Sequence, residues 1–289
     1  MARPRSGPFN VSPESLLYSL KSAIILLLAI NDKDAHGAEY DTRVMQSHTM
    51  RMRKGEVHAE PILLTITEDA AIETILEDGA EAACIILEIA PSDAKITVTQ
   101  RCTVGAHARL HVTNITLGGA EVSHDFVAHV TGEEGMSSVD WIFYGKGAER
   151  QTLSAHNVFD ARNGGGEITV HGVVEERAQT SFNGMIEITP KGGGTNTYLT
   201  ETLLMLDPTA KVDAIPGLEI KTNDVKASHS ATVTNVSEED LFYLAARGIA
   251  LREGRRMIIE GFLSALAERI PEGKTRALVQ REIAKKYAY

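Results

Sequence analysis

The chain has 289 residues, 43% apolar and 24% charged, the balance of a soluble globular protein able to bury a substantial core. Its formal charge of −10 argues against a nucleic-acid backbone as partner, because phosphate binding needs clustered Lys and Arg. An aromatic content of 5% likewise argues against a platform that stacks bases or sugars.

In chain order, residues 1–60 read as a helical and irregular N-terminal segment. Ser12 is placed as an N-cap with Pro13 at the first helical position, and the helix is expected to run to about residue 30. Its apolar run, Ala23 to Ile30, is far shorter than the roughly 20 residues a bilayer requires, so no membrane span is expected. With Arg3 and Arg5 upstream it loosely imitates a signal peptide. However, Asn31-Asp32-Lys33-Asp34 follows in place of a small-residue cleavage site, and a helix docked on the rest of the protein fits better.

Residues 61–236 are rich in β-branched residues and broken by glycine. Candidate strands begin near Arg109, Ser123, Ser137, Gln151, Gly166, Gln179, Asn196, Ala210 and Asp224, in steps of 14, 14, 14, 15, 13, 17, 14 and 14 residues. Turn formers such as Gly118-Gly119, Gly164-Gly165-Gly166 and Gly192-Gly193-Gly194 separate them. Within RLHVTNITL, Leu110, Val112 and Asn114 face one way and Arg109, His111 and Thr113 the other. Such a period without helical interruption marks a solenoid or a closed β architecture, in which each unit buries its apolar side chains only against its neighbours. Sandwich strands usually recur every 8 to 12 residues, so the longer step favours a β-helix. The segments ILLTIT, CIILEIA and KITVTQ between Pro61 and Val104 are expected to form its first turns.

From residue 237 to 289 the pattern becomes helical. Ser237 can cap a first helix with Asp240 three residues on, Leu241, Leu244, Ala245 and Ile249 lie at helical spacing, and Gly248 is placed to end it. A second stretch from Gly254 to Ile270 carries Met257, Ile258, Gly261, Phe262 and Leu266 as its apolar stripe and stops at Pro271, and Lys274 to Lys286 reads as a basic last helix.

The segment PGLEIKTNDVKASHSATVTNVSEEDLFYLAARGI, Pro216 to Ile249, resembles the SufB/SufD family of SUF iron–sulfur cluster assembly scaffolds, with Gly261-Phe262-Leu263 continuing the match. The chain looks like a short, SufD-like minimal form of that family. The resemblance implies a mainly β protein: a right-handed parallel β-helix with an N-terminal helix and a C-terminal helical domain. It implies a scaffold and not an enzyme, working in the cytoplasm. Its partners would be a SufC-type ABC ATPase gripping the C-terminal helices and either a second copy of the chain or a sister SufB/SufD subunit meeting it through the β-helix. On this resemblance Glu239, Leu241, Phe242, Tyr243, Arg247, Gly248 and Phe262 are the ATPase-binding candidates.

The resemblance also implies a transient iron–sulfur cluster, with His229 at the position of the family's proposed iron-ligating histidine. Neutral imidazole suits iron and releases it more readily than thiolate. The chain departs from the family where cysteine would be expected: Ala227 stands two residues before the histidine and Glu201 near an earlier cysteine position, while Ser228 and Ser230 replace flanking acids. Glu201 is a candidate weak iron ligand, or else a solvated or interface charge. Cys84 and Cys102, too few for a disulfide framework and without a CxxC pair, are expected as reduced core thiols far in sequence from His229. His107 and His111, with His124 and His129, suggest a histidine ladder on a solvated strand face. No GxxxxGK[ST] loop is present, so nucleotide hydrolysis is not expected of this chain. A second reading is a β-helical polysaccharide lyase or hydrolase. It would need clustered carboxylates and stacking aromatics, yet the chain has one tryptophan and its acidic residues are scattered.

Overall fold

The computed structural model describes residues 45–287, and the helix expected within residues 12–30 lies outside them. The described residues belong to one compact unit. They contain fourteen strands: β1 Gln46–Met52, β2 Ile62–Ile66, β3 Ala70–Leu76, β4 Glu81–Glu88, β5 Lys95–Val104, β6 Arg109–Thr116, β7 Glu121–Val130, β8 Met136–Gly145, β9 Arg150–Phe159, β10 Gly165–Val174, β11 Gln179–Ile188, β12 Thr195–Met205, β13 Lys211–Ile220 and β14 Val225–Asn235. Three helices follow, α1 Glu238–Ala245, α2 Leu251–Ala267 and α3 Lys274–Tyr287.

The odd strands form one seven-stranded sheet and the even strands another, every pairing parallel, so the chain winds alternately through the two sheets as a β-helix. One half-coil is the 14-residue step of the sequence and one full coil is twice that. Thr116, for example, lies over Glu88, 28 residues earlier. Each observed strand from β6 to β14 starts within two residues of its predicted position. β1 shows that the coil begins before residue 61, inside the stretch assigned to the N-terminal segment. That strand is polar on its outward positions, and only its pairing with β3 reveals it.

The two sheets differ in cover. In the odd sheet, β5 and β7 alternate buried and outward residues along their whole length. In the even sheet, the later residues of β4, β6 and β8 are buried on both faces. The reason is the helical layer: Ile259, Leu263, Leu266 and Ile270 with Val279 and Ile283 of α3 pack on the outward Ile85, Leu87, Ile115, Ile142, Tyr144, Val173 and Leu204. Fully burying one such side chain contributes about 1.5–3 kcal/mol. The α2 stripe is therefore rotated from the one anticipated. Met257 is exposed and Ile259, Leu263, Leu266 and Ala267 are buried, because α2 meets α1, α3 and the sheet on different sides.

Stacked corners hold the coils in register. His107, Glu134 and Asn163 each adopt φ near +56°, and each donates its N–H to the next coil, to the carbonyls of Glu133, Arg162 and Gly193. A left-handed residue costs about 1–2 kcal/mol, which these hydrogen bonds offset. In β10, Gly172 leaves room for the Phe143 ring; an added Cβ would lie 1.9 Å from Phe143 Cζ, and that ring stacks on Phe182 at 6.2 Å.

Candidate functional site at the open end of the coil

Among the described residues β13 and β14 end their sheets, and no further coil follows them. On β14 the register decides which side chains face inward. Leu199 of β12 is buried in the core and is the partner of His229, so His229 occupies an inward position. Glu201 is partnered by Ala231, two residues beyond the histidine. Both candidate ligands thus sit on the inner face of adjacent strands, with diagonal spacing of about 7–8 Å between backbones. Ala227 shares this face, and Ser228 and Ser230 point outward.

Their environments differ. Among the described residues His229 is exposed. Glu201 is 1% exposed, and burial pushes its pKa up to about 7 against a smaller opposing effect of the Gly184 backbone N–H. It lies against Gly184 of β11, where an added Cβ would come within 2.5 Å of Oε1. Glu201 is therefore not a solvated charge. Among the described residues no group of three or more His, Cys, Asp and Glu side chains is gathered to hold a metal ion, so these two donors make at most part of a coordination sphere.

The helical candidates separate by position. Ser237 caps α1, accepting from the N–H groups of Glu239 and Asp240, and Gly248 at φ +81° ends the turn after it. Phe242 is 75% and Tyr243 56% exposed, with Arg247 stacked 3.5 Å from the Tyr243 ring, and Glu239 is exposed beside them. Leu241 and Leu244 instead face Gly254 of α2. Phe262 points away from this surface: its ring stacks on His171 at 4.7 Å, and its carbonyl accepts from His171 Nδ1 at 2.9 Å. Next to that contact Arg269 donates to the buried Asp140 at 2.8 Å, and His111 Nε2 meets the same carboxylate at 2.9 Å.

The histidines do not form a ladder. His107 is a corner residue, His111 faces the helical layer, and His124 is inside the coil while His129 is outside it. His124 belongs to a buried cluster the sequence did not disclose. It pairs with Glu88, bonds Gln100 at 3.2 Å and packs edge-on against Trp141. Trp141 in turn donates to Thr116, and Thr116 to Glu88. The available signal was the inward parity of Glu88 and His124 in their strands. Cys84 and Cys102 are free and buried in the same core; burial pushes the Cys84 thiol up to about 12 and Cys102 also upward, which keeps both protonated.

Residues 56–262 match the family model described as SUF system FeS cluster assembly, SufBD core domain. The chain belongs to the SufB/SufD family. It is 26% identical over 275 residues to the iron–sulfur cluster assembly protein SufD of Escherichia coli (strain K12), covering 80% of this chain and 64% of that protein. It is 33% identical over 139 residues to SufD of Bacillus subtilis (strain 168), covering 48% of this chain and 32% of that protein. A SufBD family protein of Mycobacterium leprae is 25% identical over 202 residues, covering 70% of this chain and 23% of that one. The chain thus spans less than two thirds of these relatives' length. The SufBD match runs from before β2 into α2, so it includes Glu201, His229 and α1. It supports a role in iron–sulfur cluster assembly over the polysaccharide-enzyme reading. No helix among the described residues is long and apolar enough to cross a membrane.

Proposed function

We propose that this protein is a cytoplasmic scaffold subunit of SUF iron–sulfur cluster assembly. In this reading it joins a second subunit through the end of its β-helix and holds iron, or a nascent cluster, transiently at His229 and Glu201. A SufC-type ABC ATPase grips it through α1. The observation that carries the reading is that His229 and Glu201 share the inner face of neighbouring strands at the uncovered end of the coil. The iron is cargo: an imidazole and a carboxylate, with no thiolate near, favour weak binding and ready release. The missing donors would come from the joined subunit and from sulfide.

Anaerobic reconstitution of the complex with iron and sulfide tests the site. His229→Ala is expected to retain less than half the iron and sulfide of the unmodified complex; equal retention assigns His229 a structural part only. The ATPase handle is tested separately. Phe242→Asp places a charge on an exposed ring, so the fold should keep its circular dichroism, while capture of a coexpressed ATPase should fall at least tenfold, as for a lost aromatic anchor. Undiminished capture would remove α1 from the interface. Leu241→Asp is the poorer probe, because Leu241 also packs on α2.

A further inference from the structure

Gly184 is a glycine that the backbone does not demand. It lies in the middle of β11, outside the left-handed region, with Ala155 and Pro216 as its register partners, and it faces inward. Space is what refuses a side chain there: an added Cβ would stand 2.5 Å from Glu201 Oε1 and 2.8 Å from both methyl carbons of Leu199. A glycine inside a strand gives up packing and often marks the close approach of another group. Here that group is the Glu201 carboxyl, which comes from β12 in the opposite sheet. The two flanks of Glu201 are unequal. Its partner toward the interior of the stack is the fully buried Val170, and its partner toward the open end is Ala231, small and exposed. The inward positions of β10, β11 and β13 offer no titratable group, so the first one met on the open side is His229 of β14.

We propose that Gly184 forms a notch in which the Glu201 carboxyl is parked across the coil, and that a divalent cation binding beside His229 draws the carboxyl out past Ala231. On the scaffold reading above, on which this rests, the cation is ferrous iron. Gly184 is then a positioning residue. It does not touch the metal, but it decides which of two places the carboxyl occupies. In the parked place Glu201 is buried while His229 is exposed, so the two donors are held apart. In the outward place the carboxyl shares the inner face with the imidazole, which lies two residues from Ala231 on the adjacent strand. A site that must first release a parked ligand binds more weakly, in proportion to the fraction of time that ligand is free. Such a site suits a scaffold that must give up its cargo.

Ferrous iron titrated anaerobically into the full chain at one fixed pH tests this, together with crystal structures read for the position of the carboxyl. In the unmodified chain the carboxyl should lie over residue 184 without iron and beside His229 with it. Gly184→Ala fills the notch, so the carboxyl should stand on the Ala231 side even without metal, and iron should bind about threefold more tightly or beyond. That gain should vanish when Glu201→Ala is added, which separates positioning from a general change in the coil. Ala231→Val narrows the exit on an exposed strand, so it should fold whatever Gly184→Ala does. It should weaken iron binding by about threefold or more. A carboxyl that stays over residue 184 in the iron-loaded chain, or iron binding that neither Gly184→Ala nor Ala231→Val alters, overturns the inference alone. A chain that binds no iron overturns the scaffold reading and the cation-driven movement together, and the two failures are thereby told apart.

Discussion

Trp141→Ala should destabilise the protein by about 3–5 kcal/mol, the range for removing a large aromatic side chain from a packed core. Trp141 is fully buried and sits at the centre of the coil, with its ring centroid 4.7 Å from that of His124 and 5.3 Å from that of Phe182. Its Nε1 donates to Thr116 Oγ1 at 3.2 Å, and that hydroxyl donates to Glu88 at 2.6 Å. Alanine would leave a cavity beside the buried Glu88–His124 contact and remove one donor from its hydrogen-bond chain, and buried polar groups depend on such neighbours. Trp141→Phe fills most of the space but lacks the donor, so it should cost about 1–2 kcal/mol. Urea unfolding measures both. A loss below 1 kcal/mol for Trp141→Ala would mean that the coil collapses onto the gap and that the cluster is not a stability centre.

Glu201→Gln should have an effect that depends on pH. The carboxyl has its pKa raised by burial from 4.5 to about 7. Below pH 4.5 it is protonated in both folded and unfolded chains and costs nothing by ionisation. Between 4.5 and about 7 the unfolded chain ionises while the folded one holds its proton, so stability falls as pH rises. Above 7 the penalty levels off at about 3 kcal/mol, at 1.36 kcal/mol per pKa unit. Glutamine cannot ionise. The stability of the variant relative to the unmodified protein should therefore be about 3 kcal/mol more favourable at pH 8 than at pH 4, whatever constant difference the amide introduces. The same difference at both values would show that Glu201 ionises normally. In the proposed function a Glu201 carboxyl must lose its proton to bind iron, so retention there should strengthen as pH rises through about 7.

The coil was legible because its signal is repetitive. Every strand from β6 onward follows from spacing and glycine punctuation, and the Ser237 cap announced α1. β3 was less visible: its inward positions Ala70 and Thr74 are small, and Ala70-Ala71 lacks the β-branched texture of its neighbours. The rotation of α2 was not legible either, since a helix packed on several sides carries apolar residues around more than one stripe. The site residues emerged from a motif, but their shared face did not. That depends on Leu199 standing over His229, a register set by the turns between β12 and β14, and a single extra residue there would send His229 outward. The interior acid at Glu88 runs against the rule that buried positions are apolar, and only the coil around it makes its partners apparent.

The grip of the helical layer has a mechanical meaning. Arg269 holds Asp140 of β8, and Phe262 holds His171 of β10, whereas the terminal strand β14 makes none of these contacts. Coils in a solenoid support only their neighbours. A pull on α2 is therefore delivered to the interior of the stack, whereas a pull on α1 reaches the terminal strand β14 directly through the two residues that join them.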